Sequence, residues 1–254
     1  MDRTTSGIAM MAAGLLLAAG GGYLFMNSPV GGVNARTVAP FAALIIGIVL
    51  AVVGKSRMAA GRHEGLAAEA GLEVKSALGL TGSTRVEMEG DFGGFKVSVS
   101  RRETSHHRRS SYRTGYTEDY LFTVELPNPA GLDFYVGPDS ILQTPIGFLP
   151  PKLDAASWEW AATLAVRGEP AGAAELFFAN RNVWPLFREF FGAVGSCRLA
   201  GEKLEFEAGP SYVPDDLDDE TESPNAVEMK ALIQRAVEVA RLVAALAPAG
   251  PKAE

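Results

Sequence analysis

The side chains best suited to chemistry crowd into residues 101–113, RRETSHHRRSSYR. Arg101, Arg102, Arg108, Arg109 and Arg113 stand there with Glu103, His106 and His107. Guanidinium groups at this density recognise anions: a phosphate, an anionic lipid headgroup or an acidic protein segment. Beside an anionic membrane each basic residue contributes about 1 kcal/mol. The chain carries one acidic counterpart itself, in Asp215, Asp216, Asp218, Asp219, Glu220 and Glu222. The same polar composition suits a solvated surface loop.

His106 and His107 do not predict a metal site. Adjacent residues on a strand point to opposite faces, and no metal-ligand spacing leads to a further histidine or cysteine. His63 is the third histidine and Cys197 the single cysteine. One cysteine excludes an intrachain disulfide framework. The expectation is a buried free thiol, since nucleophilic chemistry would need a base brought beside it by the fold. There is no GxSxG elbow, no P-loop and no dinucleotide fingerprint. No catalytic residue, metal or cofactor is assigned, and an enzyme is not the expectation. The net charge of -7 argues against nucleic acid as a partner.

The elements that must position the arginines begin with two uncharged stretches. Residues 4–35 and 37–54 contain no charged side chain. They predict transmembrane helices at about 7–26 and 38–54, roughly 30 Å and 26 Å long, close to the thickness of a hydrocarbon core. The linking NSPVGGVNART is turn chemistry and forces an antiparallel hairpin, so 1–57 reads as one membrane unit. Small residues recur every four positions, at Gly14, Ala18 and Gly22 and at Ala43, Gly47 and Ala51. Such stripes let helices pack closely in lipid, either with each other or with a second copy in a homo-oligomer.

Orientation follows from the cations. Lys55, Arg57 and Arg62 follow the second helix, Arg3 precedes the first, and the turn holds only Arg36. Positive charge stays inside, which predicts an integral protein of a bacterial inner membrane with both termini cytoplasmic. The rival is a cleaved signal peptide, opposed by Asp2 in the n-region and by the weak cleavage site Ala18-Ala19-Gly20.

Beyond the hairpin, Leu66, Ala70, Val74 and Leu78 recur at helical spacing and predict a juxtamembrane helix over 58–80. Residues 81–247 read as a soluble α+β domain and 248–254 as a disordered tail. Period-two alternation predicts strands at 85–89, 95–99 and 120–126, with further strands at 132–136, 158–166, 198–200 and 203–207. On this reading 101–113 is a long hairpin loop. Helices are expected from Glu169-Pro170 and over 183–194, and a last one starts at Ser223-Pro224 with Val227 on its apolar face. The aromatics Phe177, Phe178, Trp184, Phe187, Phe190 and Phe191 are expected in the core. The predicted fold is α+β: a transmembrane hairpin, then an antiparallel sheet packed against helices.

Three functions fit this layout. The first is a non-enzymatic binding or scaffold module that displays its cytoplasmic domain to a protein partner or an anionic membrane surface. The second is a membrane-tethered enzyme or small-ligand sensor with a pocket between sheet and helices. The third is an oligomerising hairpin that forms an assembly or pore, which the scarcity of polar residues in the hairpin disfavours.

Overall fold

The computed structural model describes residues 3–27, 35–80, 83–107, 114–138, 149–154, 158, 161, 163–190, 195–214 and 226–246. Helix α1 spans Arg3–Met26 and α2 spans Ala35–Ala70. Both are long and apolar enough to cross a membrane. Only 11% of either apolar stretch is buried within the molecule, so neither resembles the core helix of a soluble fold. Leu16, Leu24, Ile45, Ile46 and Val49 face outward, as a membrane anchor requires.

The two helices meet along a glycine seam with a seven-residue repeat. Gly7, Gly14 and Gly21 of α1 are buried against α2. A Cβ on Gly14 would lie 2.4 Å from the backbone nitrogen of Ala51, and one on Gly47 would lie 2.4 Å from that of Ala18. Gly54 packs in the same way on Met11, and Gly61 on Thr4. A strict seven-residue period keeps one seam in register when helices coil left-handedly about each other. Gly22 lies to the side of this seam, where a Cβ would meet only Leu44 Cδ1 at 3.8 Å.

At 36 residues, α2 rises about 54 Å, far more than a hydrocarbon core. Its apolar part ends at Gly54. From Lys55 onward it is a helix of the folded domain, with Ala59, Ala60, Ala67 and Ala70 buried. The helix stops at Ala70 rather than running to residue 80. Gly71 turns the chain with φ +83°, a backbone state that favours glycine. Strand β1, Glu73–Leu80, then doubles back along α2 and pairs with β2, Ser83–Phe92. Helical spacing in 66–78 was compatible with a strand because Leu72 and Val74 also alternate with exposed Glu73 and Lys75.

Six more strands complete the sheet: β3 Phe95–His107, β4 Thr114–Glu125, β5 Asp133–Gly137, β6 Ala165–Glu169, β7 Ser196–Ala200 and β8 Lys203–Pro214. Their order is β1-β2-β3-β4-β8-β7-β5-β6, antiparallel throughout. The expected α+β fold is therefore the observed one. Gly93 and Gly94, both at positive φ, close the β2–β3 hairpin. The strand expected at 158–166 forms later, as β6.

Register aligns one row of side chains across all eight strands. Val74, Met88, Val99, Phe122, Phe206, Cys197, Val136 and Val166 are successive cross-strand partners, and all are buried. Helices α3 (Ala171–Ala179), α4 (Val183–Phe190) and α5 (Ala226–Ala244) complete the core with α2. Phe177, Phe178 and Phe187 stack around Phe134 of β5. Helix α5 buries Met229, Ile233, Ala236, Ala240 and Val243, the three- and four-residue steps of one face. Val227 lies off that face and is exposed. The expected starting cap at Ser223-Pro224 and the tail at 248–254 lie outside the described residues.

The seam makes a specific expectation. Gly14→Val or Gly47→Val should prise the helices apart and destabilise the full chain in detergent by about 1–3 kcal/mol, the usual cost of overpacking. Gly20→Val should leave the melting temperature unchanged, because nothing lies within 4 Å of a Cβ there. Differential scanning fluorimetry of the three variants checks this.

Candidate functional site

The apolar rows of the sheet give way to polar ones at the end nearest the hairpin. Next to the buried row come Val86, Arg101, Tyr120 and Ala208, and beyond them Thr84, Glu103, Glu118 and Ser211. These strands continue further than sequence alternation suggested. The β3–β4 ladder runs out to His107 opposite Thr114, so Arg101 and Arg102 are strand residues rather than loop residues. A ladder hydrogen-bonded on both sides holds polar residues in extended form even where their side chains favour a loop.

Alternation then sends Arg101 and Arg102 to opposite faces. Arg102 is exposed on the outer face, in register with Asp119. Arg101 points inward and is 9% exposed. It forms an ion pair with Glu118, which is fully buried. Arg101 Nη2 donates to Glu118 Oε1, and Tyr120 Oη donates to Glu118 Oε2 at 3.1 Å. The guanidinium carbon lies 5.9 Å from the centre of the Tyr120 ring. Both carboxylate oxygens are thus occupied, as a buried charge demands.

Helix α2 covers this pair with His63. Arg101 Nη1 lies 2.7 Å from both ring nitrogens of His63. An arginine only donates, so the imidazole must offer a lone pair and be neutral. Burial, followed by the charge of Arg101, lowers the His63 pKa to about 4, with Glu118 opposing and Arg62 adding to the shift. Arg101 Nε is buried and has no acceptor among the described residues.

A cavity of about 650 Å³ opens between α2 and the sheet at this point. Helix α2 lines it with Lys55, Met58, Ala59, Arg62, His63 and Leu66, positions that share one helix face. The sheet contributes Thr84 from β2, Arg101 and Glu103 from β3, and Tyr120 from β4. Sequence reading missed His63 as a partner of Arg101, and missed Lys55 and Arg62 as residues that line one cavity with it. The available signal was their spacing: 55, 58, 59, 62, 63 and 66 place one stripe of the helix toward the sheet.

The remaining candidate residues separate. Arg108, Arg109 and Arg113, with the acidic residues 215–222, lie outside the described residues. Gly14 and Gly47 sit in the hairpin seam, with the Ala18 and Ala51 backbones against them, while the Ala43 carbonyl carbon would lie 3.1 Å from a Cβ on Gly21. Cys197 is wholly buried between Phe206 and Val136, and burial pushes its thiol well up from the ordinary range. A thiol held so has little nucleophilic thiolate. Among the described residues, no three His, Cys, Asp or Glu side chains are placed to share a metal ion.

No family model matches the chain, and none of the curated proteins matches it. Among solved structures, the crystal structure of the mycobacterial trehalose monomycolate transport factor A, TtfA, aligns with 75% of this chain and 97% of that chain. The identity is 10% and the TM-score 0.44, too low to carry a functional argument.

Two outcomes are expected from this geometry. Glu118→Gln should cost about 3–5 kcal/mol, since it leaves Arg101 buried without its counter-charge. The double change Arg101→Met with Glu118→Leu should cost clearly less, as denaturant titration would show. The histidine sets a pH dependence. Its folded pKa lies below its unfolded value, so the unfolded chain binds the extra proton first. Stability should therefore fall as pH drops from 6.5 toward 4, and His63→Gln should flatten that part of the curve.

Proposed function

We propose that this chain is a membrane-anchored, non-enzymatic binding module. The hairpin crosses a bacterial inner membrane with both termini and the α+β domain on the cytoplasmic side, and the β3–β4 hairpin engages the anionic bilayer surface. The observation that carries this reading is the direction of β1. Its residues Lys75 to Leu78 lie beside Val52, Val53, Ser56 and Arg57 of α2, so the strand runs back toward the apolar part of the helix. The meander puts the end of β3 and the start of β4 at that same end of the sheet. Residues 108–113 join them and carry three arginines. Arg102, Arg108, Arg109 and Arg113 are the lipid contacts of this proposal; Arg101 is committed to Glu118.

Lys55, Arg57 and Arg62 directly after the second apolar run favour the cytoplasmic placement. The glycine seam faces inward within one hairpin, which leaves it to hold the anchor rather than to build an oligomer.

Two measurements test the proposal on the full chain. In intact cells, a membrane-impermeant maleimide should label Val33→Cys and leave Ser105→Cys unlabelled; the reverse pattern overturns the topology. In nanodiscs, amide exchange over 101–118 should be slower with phosphatidylglycerol than with phosphatidylcholine. Changing Arg102, Arg108, Arg109 and Arg113 to Ser, or raising salt, should abolish that difference.

A further inference from the structure

Resting on the membrane-anchored reading, we infer that the end of the β1–β2 hairpin is a further bilayer contact, with Leu78 set among acyl chains at the membrane boundary. Single exposed leucines are ordinary on protein surfaces, so the position of this one carries the argument. Leu78 is 52% exposed. With Ala77 it lines one groove with Val52 and Val53 of α2, which lie inside the uncharged run that ends at Gly54. Val53 is exposed too, and Ile46 and Val49 continue its stripe along the helix in three- and four-residue steps. Leu78 thus extends the outward apolar surface of the anchor onto the sheet.

The order of charges along both strands fits a membrane boundary. Ser76 to Thr84 carries no charged side chain. A cation bounds this stretch on each strand, Lys75 on β1 and Arg85 on β2, and acids follow only further out, at Glu73 and Glu87. Both cations turn away from the hairpin end. Lys75 Nζ donates to Glu73 at 2.7 Å. Arg85 Nε donates to Glu87 and, at 3.1 Å, to Ser100 Oγ, both in a row further from that end. Long basic side chains beside a bilayer lie this way, with the stem along apolar surface and the charged head toward water. The next hairpin, further from α2, has the opposite composition, with four arginines in residues 102–113.

The backbone bounds the depth. β1 is an edge strand paired with β2 alone, and hydrocarbon cannot satisfy the groups on its open side. The strand therefore stays at the headgroup level, where Val52 and Val53 also lie, within one turn of Gly54, and the Leu78 side chain reaches the acyl chains. A protein strand added to the open edge is the rival occupant. The break in register between Val74 and Ser76 and the helix beside the strand both oppose it.

The test is depth-resolved spin labelling of the full chain in phosphatidylglycerol–phosphatidylcholine nanodiscs. Cys197 is wholly buried, so the introduced cysteine takes the nitroxide. Leu78→Cys and Ser83→Cys are compared with Ile46→Cys in the apolar run and with Lys96→Cys, exposed near the far turn of the sheet. Oxygen concentrates in lipid, and a nickel chelate stays in water. The oxygen-to-nickel collision ratio at positions 78 and 83 should exceed that at 96 and approach that at 46. Ratios at 78 and 83 equal to that at 96, with a lipid-like ratio at 46 and wild-type melting temperatures, overturn this inference and leave the anchor standing. A water-like ratio at 46 as well overturns both. Exclusion of both reagents from position 78 would show a protein surface over the hairpin end, and that too overturns the lipid contact.

Discussion

A single helix in this protein has to satisfy two surroundings. From Thr37 to Gly54 α2 carries no charged side chain, and its second half buries alanines against a sheet. Because the helix is continuous, the domain cannot pivot freely beneath its anchor. The return of β1 along α2 adds a second tie, since the edge of the sheet is laid against the helix that leaves the anchor. The height of every strand end relative to the apolar segment follows from that docking. So does the arrival of Lys55, Arg62 and His63 over the polar rows of the sheet.

The polar centre beneath the helix is the costliest feature of the fold. A fully buried glutamate is tolerable only with its charge matched and its oxygens occupied, and Arg101 and Tyr120 do both. Hydrophobic residues of similar volume would give comparable stability in many proteins, so stability alone does not explain the pair. Its other effect is positional. It holds an arginine rigidly at the floor of a cavity and obliges His63 to stay neutral above it. Glu118 on one side and His63 on the other hold the guanidinium in one geometry.

Size, not polarity, organises the other half of the molecule. Lipid offers no hydrophobic drive for two apolar helices to associate, so their contact depends on close approach and dispersion. Glycines every seven residues on both helices bring backbone against backbone for most of the seam. The large apolar side chains are left to the outside. The two halves of the protein thus use opposite devices, a polar pair buried in an aqueous domain and bare backbone buried in an apolar hairpin.

The sequence by itself determined the elements whose signals are local. Two charge-free runs marked the apolar helices, alternation marked β2, β3 and the core of β4, and the strand-then-helix order set the α+β class. Gly14 and Gly47 were recognisable as small residues at contact spacing, although a four-residue step led to Gly22 where the seven-residue step leads to Gly21. Only the tertiary structure decided the rest. Residues 73–80 carry helical and strand spacing at once, and pairing with β2 resolved them. Arg101 and Arg102 look alike in sequence, yet the pleat sends one into a buried ion pair and the other to the outer face. His63 lies 38 residues from Arg101, and nothing in the local pattern of either announces the other. Their meeting depends on the long-range docking of a helix on a sheet, and that docking is set by the summed burial of many side chains rather than by any motif.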